Sequence, residues 1–215
     1  LQSLLTEVKR PYTVILGGAK ISDKLNLVNN LLPIVDNLIL GGGMCFTFLK
    51  AMGENIGKSL LEEDFIKTAH DLLASKYGKK IILPTDFGTT KDIDSNLRID
   101  KDIKNFEHDD IGVDISKKSI EKFTHTINNS KTIFWNGPMG IFENPAYEFG
   151  TKEITNIVSD SNSYTVVGGG DSVSAINKFS SLDKFDHVST GGGASIEFLE
   201  GKKLPGVNIY KSLII

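Results

Sequence analysis

Short apolar runs alternate along the chain with segments in which apolar residues recur every three or four positions. The runs are three to five residues long and rich in β-branched and aromatic side chains, as is typical of buried strands. The pattern predicts six strands, at 12–16, 37–40, 80–83, 132–135, 164–167 and 187–189. Between them it predicts helices after position 23 and at 44–51, 62–77, 116–128, 149–158, 171–179 and 194–199.

Strands that alternate with helices, without hairpin signals, predict an α/β fold with a six-stranded, mostly parallel sheet and helices on both faces. Ser22 and Asp23 can cap the first of these helices. Residues 85–115 differ in character, because they are polar, rich in Asp and Lys and without a helical period. We expect them to form a small irregular excursion with a short antiparallel patch.

Four glycine clusters follow predicted strands, at 17–18, 41–43, 168–170 and 191–193. Glycine lets the backbone approach a ligand closely, and the free N–H groups at a helix start attract anions. The carboxyl ends of parallel strands share one edge of the sheet, where ligands bind at the topological switch point. We therefore expect the four turns to form one anion-binding rim.

Charged residues accompany the first and third turns. Lys20 and Lys24 lie four positions apart, so both ammonium groups can face one ligand if the helix has begun by then. Asp171 would repel bare phosphate but suits phosphate that arrives with Mg²⁺. Solvated surface lysines and a plain turn with Asp171 as helix N-cap are the alternatives.

Composition narrows the function classes. The chain has 215 residues, 40% of them hydrophobic and 24% charged, which is enough to bury a full core. A net charge of −3 indicates no basic face for nucleic acid, and the most apolar stretch, 38–49, is too short to span a bilayer. Cys45, the only cysteine, fits a small core residue in a reducing compartment. We expect neither a nucleic-acid nor a membrane partner.

Five motifs resemble those of phosphoglycerate kinase and occur in that family's order. They are 17–24 (GGAKISDK), 41–44 (GGGM), 135–143 (WNGPMGIFE), 168–172 (GGGDS) and 189–195 (STGGGAS). The similarity spans nearly the whole chain and is to the carboxyl-terminal lobe alone. It implies that residues 1–215 form one Rossmann-like, nucleotide-binding lobe, without the amino-terminal substrate lobe. The first residue is Leu1 and not methionine, so we expect a piece of a longer protein.

The resemblance implies reversible phosphoryl transfer from 1,3-bisphosphoglycerate to ADP in glycolysis. Lys20 would neutralise the transferred group, and Gly192 and Gly193 would offer helix-start amides to it. Lys24 would contact the nucleotide phosphates, Glu143 the ribose hydroxyls, and Asp171 would hold Mg²⁺. The implied nucleotide-binding residues are Gly17, Gly18, Lys24, Gly42, Gly112, Asn136, Gly137, Met139, Glu143, Gly169, Gly170, Asp171 and Ser172.

The implied cofactor is Mg²⁺, with ADP or ATP as substrate, and the implied partners are the amino-terminal lobe of the same protein and phosphoglycerate. We expect a cytoplasmic monomer that binds nucleotide but, as this lobe alone, does not turn over. Two alternatives are a non-catalytic nucleotide-binding module and a dinucleotide oxidoreductase domain. The second is disfavoured because none of the four glycine clusters completes G-x-G-x-x-G.

Overall fold

The structure, a computed structural model of the chain, describes Leu4, residues 8–189 and residues 196, 197 and 199–201. The strands are β1 (Tyr12–Leu16), β2 (Asn37–Leu40), β3 (Ile81–Ile82), β4 (Asp86–Thr90), β5 (Ile99–Asp102), β6 (Ile111–Ile115), β7 (Thr132–Asn136), β8 (Tyr164–Gly168) and β9 (His187–Ser189). The helices with described bounds are α1 (Leu25–Leu31), α2 (Cys45–Ala51), α3 (Ile66–Ala74), α4 (Lys117–Asn128), α5 (Phe149–Ser159) and α6 (Gly170–Phe179).

The main sheet has six strands in the order β3-β2-β1-β7-β8-β9, and every pairing is parallel. The predicted six-stranded sheet is thus confirmed. From β1 the chain steps outward to β2 and β3, and from β7 it steps the other way to β8 and β9. Right-handed crossovers therefore place helices on opposite faces, and the switch point lies between β1 and β7.

The centre of the core is formed by the two strands at this switch point. All five residues of β1 and all five of β7 are buried. Both faces of these strands are covered, which is why their sequences are almost continuously apolar and do not alternate. Cys45 is buried at the start of α2, as predicted for a core residue. None of the helices in the described part of the chain is both long and apolar enough to span a bilayer.

The excursion at 85–115 forms a small antiparallel sheet in the order β5-β4-β6, which confirms the predicted patch. It packs on α2 through three aromatic rings. The Phe87 ring lies 4.8 Å from that of Phe46 and 5.7 Å from that of Phe106. This contact fixes the small sheet beside the carboxyl edge of the main sheet.

Two predicted elements were too long. The helix predicted at 62–77 is reduced to α3, with a 3₁₀ turn at Glu63–Phe65 before it. Glu62 is extended, because its carboxylate is bonded to another loop, and Ser75 is extended where its hydroxyl bonds the Leu72 carbonyl. A second 3₁₀ turn at Gly78–Lys80 shortens the strand predicted at 80–83 to β3.

The predicted cap at Ser22 and Asp23 was wrong, and so was the alternative in which Asp171 is an N-cap. Helix α1 begins at Leu25, so Lys20 precedes the helix and does not share a helical face with Lys24; the N-cap position is Lys24 itself, with no side-chain cap. The Ser22 hydroxyl instead donates to Glu62. Helix α6 has Gly169 at its N-cap position, and Asp171 lies within its first turn.

Candidate functional site

Two turns at the switch point are joined through their backbones. The N–H of Gly17 donates to the carbonyl of Asn136, and that of Gly18 donates to the carbonyl of Pro138, both at 2.9 Å. A Cβ at Gly17 would lie 2.6 Å from the Pro138 carbonyl carbon. Only glycine allows this contact, so Gly17 serves the packing of one turn on the other.

The turn after β2 joins the same assembly. Gly42 has φ +63° and donates its N–H to the carbonyl of Met139 at 3.1 Å. A Cβ on Gly42 would lie 2.6 Å from the nitrogen of Gly18. A Cβ on Gly137, which has φ +92°, would lie 2.6 Å from the carbonyl carbon of Gly17. The three described turns that follow β1, β2 and β7 therefore form one rigid rim.

A cavity of about 460 Å³, the apolar cavity, opens beside this rim. Its walls are mostly apolar and come from the rim, from segment 58–60 and from the small sheet. The lining residues are Gly18, Ala19, Gly42, Gly43, Phe46, Lys58, Leu60, Phe87, Ile93, Ile111, Gly112, Val113, Asp114, Pro138, Met139, Gly140, Ile141, Glu143 and Asp171.

The small sheet supplies one wall of the apolar cavity because it is anchored on two sides. Gly112 lies against the Phe46 ring, which a Cβ at that position would displace. On the other side Arg98 donates to Asp114 at 2.7 Å and to the Ile115 carbonyl at 3.0 Å. The Asp114 carboxylate also accepts the Gly150 N–H at the start of α5.

Asp114 is a buried titratable group at this wall. Its side chain is inaccessible, and one of its carboxylate oxygens has no hydrogen-bond partner. Burial raises the pKa of Asp114 to about 7, against the opposing effects of the Gly150 N–H and Arg98. The carboxyl group thus fixes the wall where β6 meets α5.

A second cavity, of about 250 Å³, lies at the start of α6; we call it the polar cavity. Its lining residues are Lys24, Asn136, Gly137, Gly169, Gly170, Asp171, Ser172 and Ile196. Asp171 lines both cavities, so the two spaces adjoin. Seven of the eight lining residues, all except Ile196, are among the nucleotide-binding residues that the sequence resemblance implies.

The backbone at the start of α6 is suited to an anion. Gly169 has φ +101° and lets the chain turn directly from β8 into the helix. The first N–H groups of a helix have no partner within it, and they carry the positive end of its dipole. A Cβ on Gly170 would meet no atom within 4 Å, so space remains in front of these amides.

Polar side chains hold the floor of the polar cavity. Ser172 is fully buried, and its hydroxyl accepts the Gly137 N–H at 2.7 Å. The side-chain amide of Asn136 donates to the Gly168 carbonyl at 2.6 Å, while its Oδ1 has no hydrogen-bond partner. These bonds join the turn after β7 to the start of α6.

Lys24 provides the positive charge of the polar cavity. Burial lowers the pKa of its ammonium group to about 8, against the opposing effects of Asp171, Asp23 and Glu200. Because desolvation disfavours the charged ammonium, an added anion would be a favourable partner for it.

The Asp171 carboxylate lies at the boundary of the two cavities. It is exposed, and within the described chain no group donates a hydrogen bond to it. A carboxylate oxygen is a ligand that Mg²⁺ prefers, and the ion normally completes its shell with phosphate oxygens and water. The donor chemistry at Asp171 therefore fits Mg²⁺ held together with a phosphate.

The remaining predicted residues are placed differently. Glu143 is exposed at the mouth of the apolar cavity. Lys20 is exposed and lines neither cavity, and Gly17 is buried beneath the rim. Gly192 and Gly193 lie outside the described residues, as does the fourth glycine turn.

The sequence interpretation missed most of the apolar cavity's wall. Phe46, Phe87 and Val113 were not marked, since each is an ordinary apolar residue in its own element. Arg98 and Asp114 were also missed as a pair. The sequence did contain a signal, because Asp114 stands between the apolar residues Val113 and Ile115. A carboxylate in a buried strand requires a charged or polar partner.

Comparison with known proteins agrees with the family resemblance seen in the sequence motifs. Residues 1–202 match the family model described as phosphoglycerate kinase. A curated relative, the phosphoglycerate kinase of Dictyoglomus turgidum, is 51% identical over 211 residues, which cover 96% of this chain and 53% of the relative.

Solved structures agree in fold. The structure of phosphoglycerate kinase from Coxiella burnetii matches with a TM-score of 0.94 and 36% identity, covering 100% of this chain and 56% of that one. The enzyme from Pyrococcus horikoshii matches with a TM-score of 0.85 and 31% identity, covering 96% of this chain and 53% of that one. The chain thus spans about half the length of the relatives it matches.

Proposed function

We propose that this chain, which belongs to the phosphoglycerate kinase family, is the lobe that binds magnesium ADP or ATP. The family is one of phosphotransferases. In the longer protein the lobe would present the nucleotide for phosphoryl exchange with 1,3-bisphosphoglycerate. We further propose that residues 1–215 form a single lobe and that the protein acts as a cytoplasmic monomer.

One observation carries the proposal. An apolar cavity of about 460 Å³ adjoins a polar cavity of about 250 Å³ at a single carboxylate, Asp171. A nucleotide has the same division, with a flat apolar base at one end and a charged phosphate chain at the other. The order of the cavities therefore suits a base near Gly112 and Met139, and phosphates near Lys24 and Gly170.

The apolar end would hold adenosine. Met139 and Gly42 lie against each other through a backbone hydrogen bond, which gives the base a rigid support. Gly18 leaves room on one of the other walls, and Gly112 lets the small sheet pack on the Phe46 ring. Glu143, exposed at the mouth, would accept hydrogen bonds from the ribose hydroxyls.

The polar end would hold the phosphates. Lys24 would pair with them, and the first-turn amides of α6, from Gly169 and Gly170 onward, would donate to them. Asn136 and Ser172 would hold the floor beneath them. Asp171 would hold Mg²⁺, which when bound neutralises charge on the phosphate oxygens.

Phosphoryl transfer requires alignment and charge neutralisation more than covalent chemistry. Lys20, outside both cavities, would contact the transferred group when the phosphoglycerate substrate is also bound, and Gly192 and Gly193 would donate amides to that group. The phosphoglycerate substrate, which donates the group when ATP is formed, would be held by the amino-terminal lobe, and closure of the two lobes would exclude water. We therefore expect this lobe alone to bind nucleotide without turnover.

The test is a calorimetric titration of the chain with MgADP, followed by an assay for ATP formation from 1,3-bisphosphoglycerate. We expect a measurable MgADP complex and no ATP above background, with no heat on titration with NAD. Alignment of the two substrates can account for roughly 7–11 kcal/mol of a barrier, so a lobe without the bisphosphoglycerate site should show no detectable turnover.

Two results would count against the proposal. An absence of MgADP binding would remove the nucleotide site. Steady ATP formation that scales with the concentration of the chain, and that Lys20→Ala abolishes, would require a bisphosphoglycerate site on this lobe.

A further inference from the structure

A carboxylate outside both cavities holds the loop that carries the two lysines. Glu62 lies just before the 3₁₀ turn that leads into α3, far along the chain from Lys24. Its Oε2 accepts the N–H of Ile21 at 2.5 Å and the N–H of Ser22 at 3.2 Å, and its Oε1 accepts the Ser22 hydroxyl at 2.5 Å.

These bonds bear on both lysines. Ile21 follows Lys20 directly, and the carbonyl of Ile21 accepts the N–H of Lys24 at 2.9 Å. The carbonyl of Lys24 in turn accepts the N–H of Val28 in α1. Glu62 thus fixes the turn at Ile21 and Ser22, and the hydrogen bond from the Lys24 N–H to the Ile21 carbonyl then fixes the position of the Lys24 backbone.

The helix that follows, α1, begins without a side-chain cap from any residue that the structure describes. The N-cap position of α1 is Lys24, whose side chain makes no cap hydrogen bond, and the first turn of α1 contains no acidic residue. Glu62 does not cap α1, because the N–H groups that it accepts belong to Ile21 and Ser22, ahead of the helix. Its carboxylate, supplied from a distant segment, instead fixes the turn from which the helix begins.

Glu62 is itself anchored to the apolar cavity. Its N–H donates to the Thr47 hydroxyl of α2 at 3.3 Å, and two residues before it Leu60 lines the apolar cavity. A Cβ on Gly43 would lie 2.8 Å from a Leu60 methyl group and 2.9 Å from the Ala19 carbonyl. Segment 58–62 therefore touches the base end of the site and holds the lysine loop.

We propose that Glu62 is a positioning residue: through the 20–24 turn it aims the Lys24 ammonium at the polar cavity. The proposal rests on the proposed function, since it assigns Glu62 to the phosphate end of the nucleotide. Glu62 lines neither cavity, so it should affect phosphate binding only through Lys24 and leave base binding unchanged.

The experiment measures the affinities of MgADP and of adenosine for the chain, for Glu62→Gln and for the matched control Glu63→Gln. Glu63 is the adjacent glutamate; it is exposed, and no described residue donates to its carboxylate. Adenosine has no phosphates, so its affinity reports the apolar cavity alone. We expect Glu62→Gln to lower the affinity for MgADP roughly tenfold and to change the affinity for adenosine less than twofold. Glu63→Gln should change neither affinity.

A double-mutant cycle separates positioning from general stabilisation. If Glu62 acts through Lys24, then Glu62→Gln should have no further effect on MgADP affinity in a Lys24→Ala background. Ser22→Ala removes the hydroxyl bond to Glu62 and keeps the carboxylate, so it should lower MgADP affinity less than Glu62→Gln does. It replaces Glu62→Gln in the cycle if that variant does not fold.

Equal losses for MgADP and adenosine would make Glu62 a structural residue and overturn the proposal, as would unchanged MgADP affinity or additive losses in the double mutant. If the parent chain binds adenosine but not MgADP, or binds neither, the proposed function fails first and this proposal with it. These outcomes are distinguishable, because the parent chain is measured alongside each variant.

Discussion

The apolar cavity takes its walls from the rim, from segment 58–60 and from the small sheet, whereas the polar cavity is built mainly from the turn after β7 and the start of α6. Glycine has opposite uses beneath the rim and at the start of α6. Gly17 lies against the backbone of a neighbouring turn, while Gly170 leaves open space. The comparison teaches that glycines in these turns serve backbone packing at some positions and leave space for a ligand at others.

The largest effect should come from filling the packed position. Gly17→Ala would place a Cβ 2.6 Å from the Pro138 carbonyl carbon, so the two turns would have to separate. We expect the free energy of unfolding to fall by about 3 kcal/mol, as measured by urea denaturation.

Gly170→Ala is the matched substitution at the open position. Its φ is not in the left-handed region and the added methyl group meets no atom, so stability should be retained or rise slightly. MgADP affinity should nonetheless fall, because the methyl group would occupy space in the polar cavity. If Gly170→Ala destabilised the fold as much as Gly17→Ala, the distinction between packing and access would be wrong.

A smaller effect is expected from the charge of the polar cavity. Lys24→Ala should weaken MgADP binding roughly ten- to a hundredfold, because a hydrogen bond to a charged partner contributes roughly 1.5–3 kcal/mol. Calorimetry that gave equal affinities for parent and variant would remove Lys24 from the site.

The same lysine predicts opposite pH dependences of affinity and stability. Since its pKa is lowered to about 8, the ammonium loses its proton above that pH, and MgADP affinity should decline. Between pH 8 and the ordinary lysine pKa near 10.4 the unfolded chain holds this proton more fully than the folded chain does. Lys24 therefore makes the free energy of unfolding increase with pH over this range. In Lys24→Ala both slopes should be reduced.

The sequence predicted the polar cavity far better than the apolar one. Gly169, Gly170, Asp171 and Ser172 are consecutive, so a local motif specified them, and Asn136 and Gly137 came from a second motif. The six parallel strands were also predictable, because each is a distinct apolar run between polar segments.

The apolar wall could not be predicted in the same way. Phe46 and Phe87 meet only because the small sheet docks on α2, which is a contact between distant parts of the chain. The shortened helix α3 has a related cause. The sequence alone indicated a helix start at Glu62, but the Glu62 carboxylate binds a loop about forty residues earlier in the chain.

The most direct test of the account is the magnesium dependence of ADP affinity, measured by calorimetry for the parent chain and for Asp171→Asn. The comparison variant is Asp23→Asn, which also removes a carboxylate that acts on Lys24 but lines neither cavity. The account predicts tighter binding with Mg²⁺ than with EDTA for the parent and for Asp23→Asn, and no difference for Asp171→Asn. Retention of the full magnesium dependence by Asp171→Asn would contradict it.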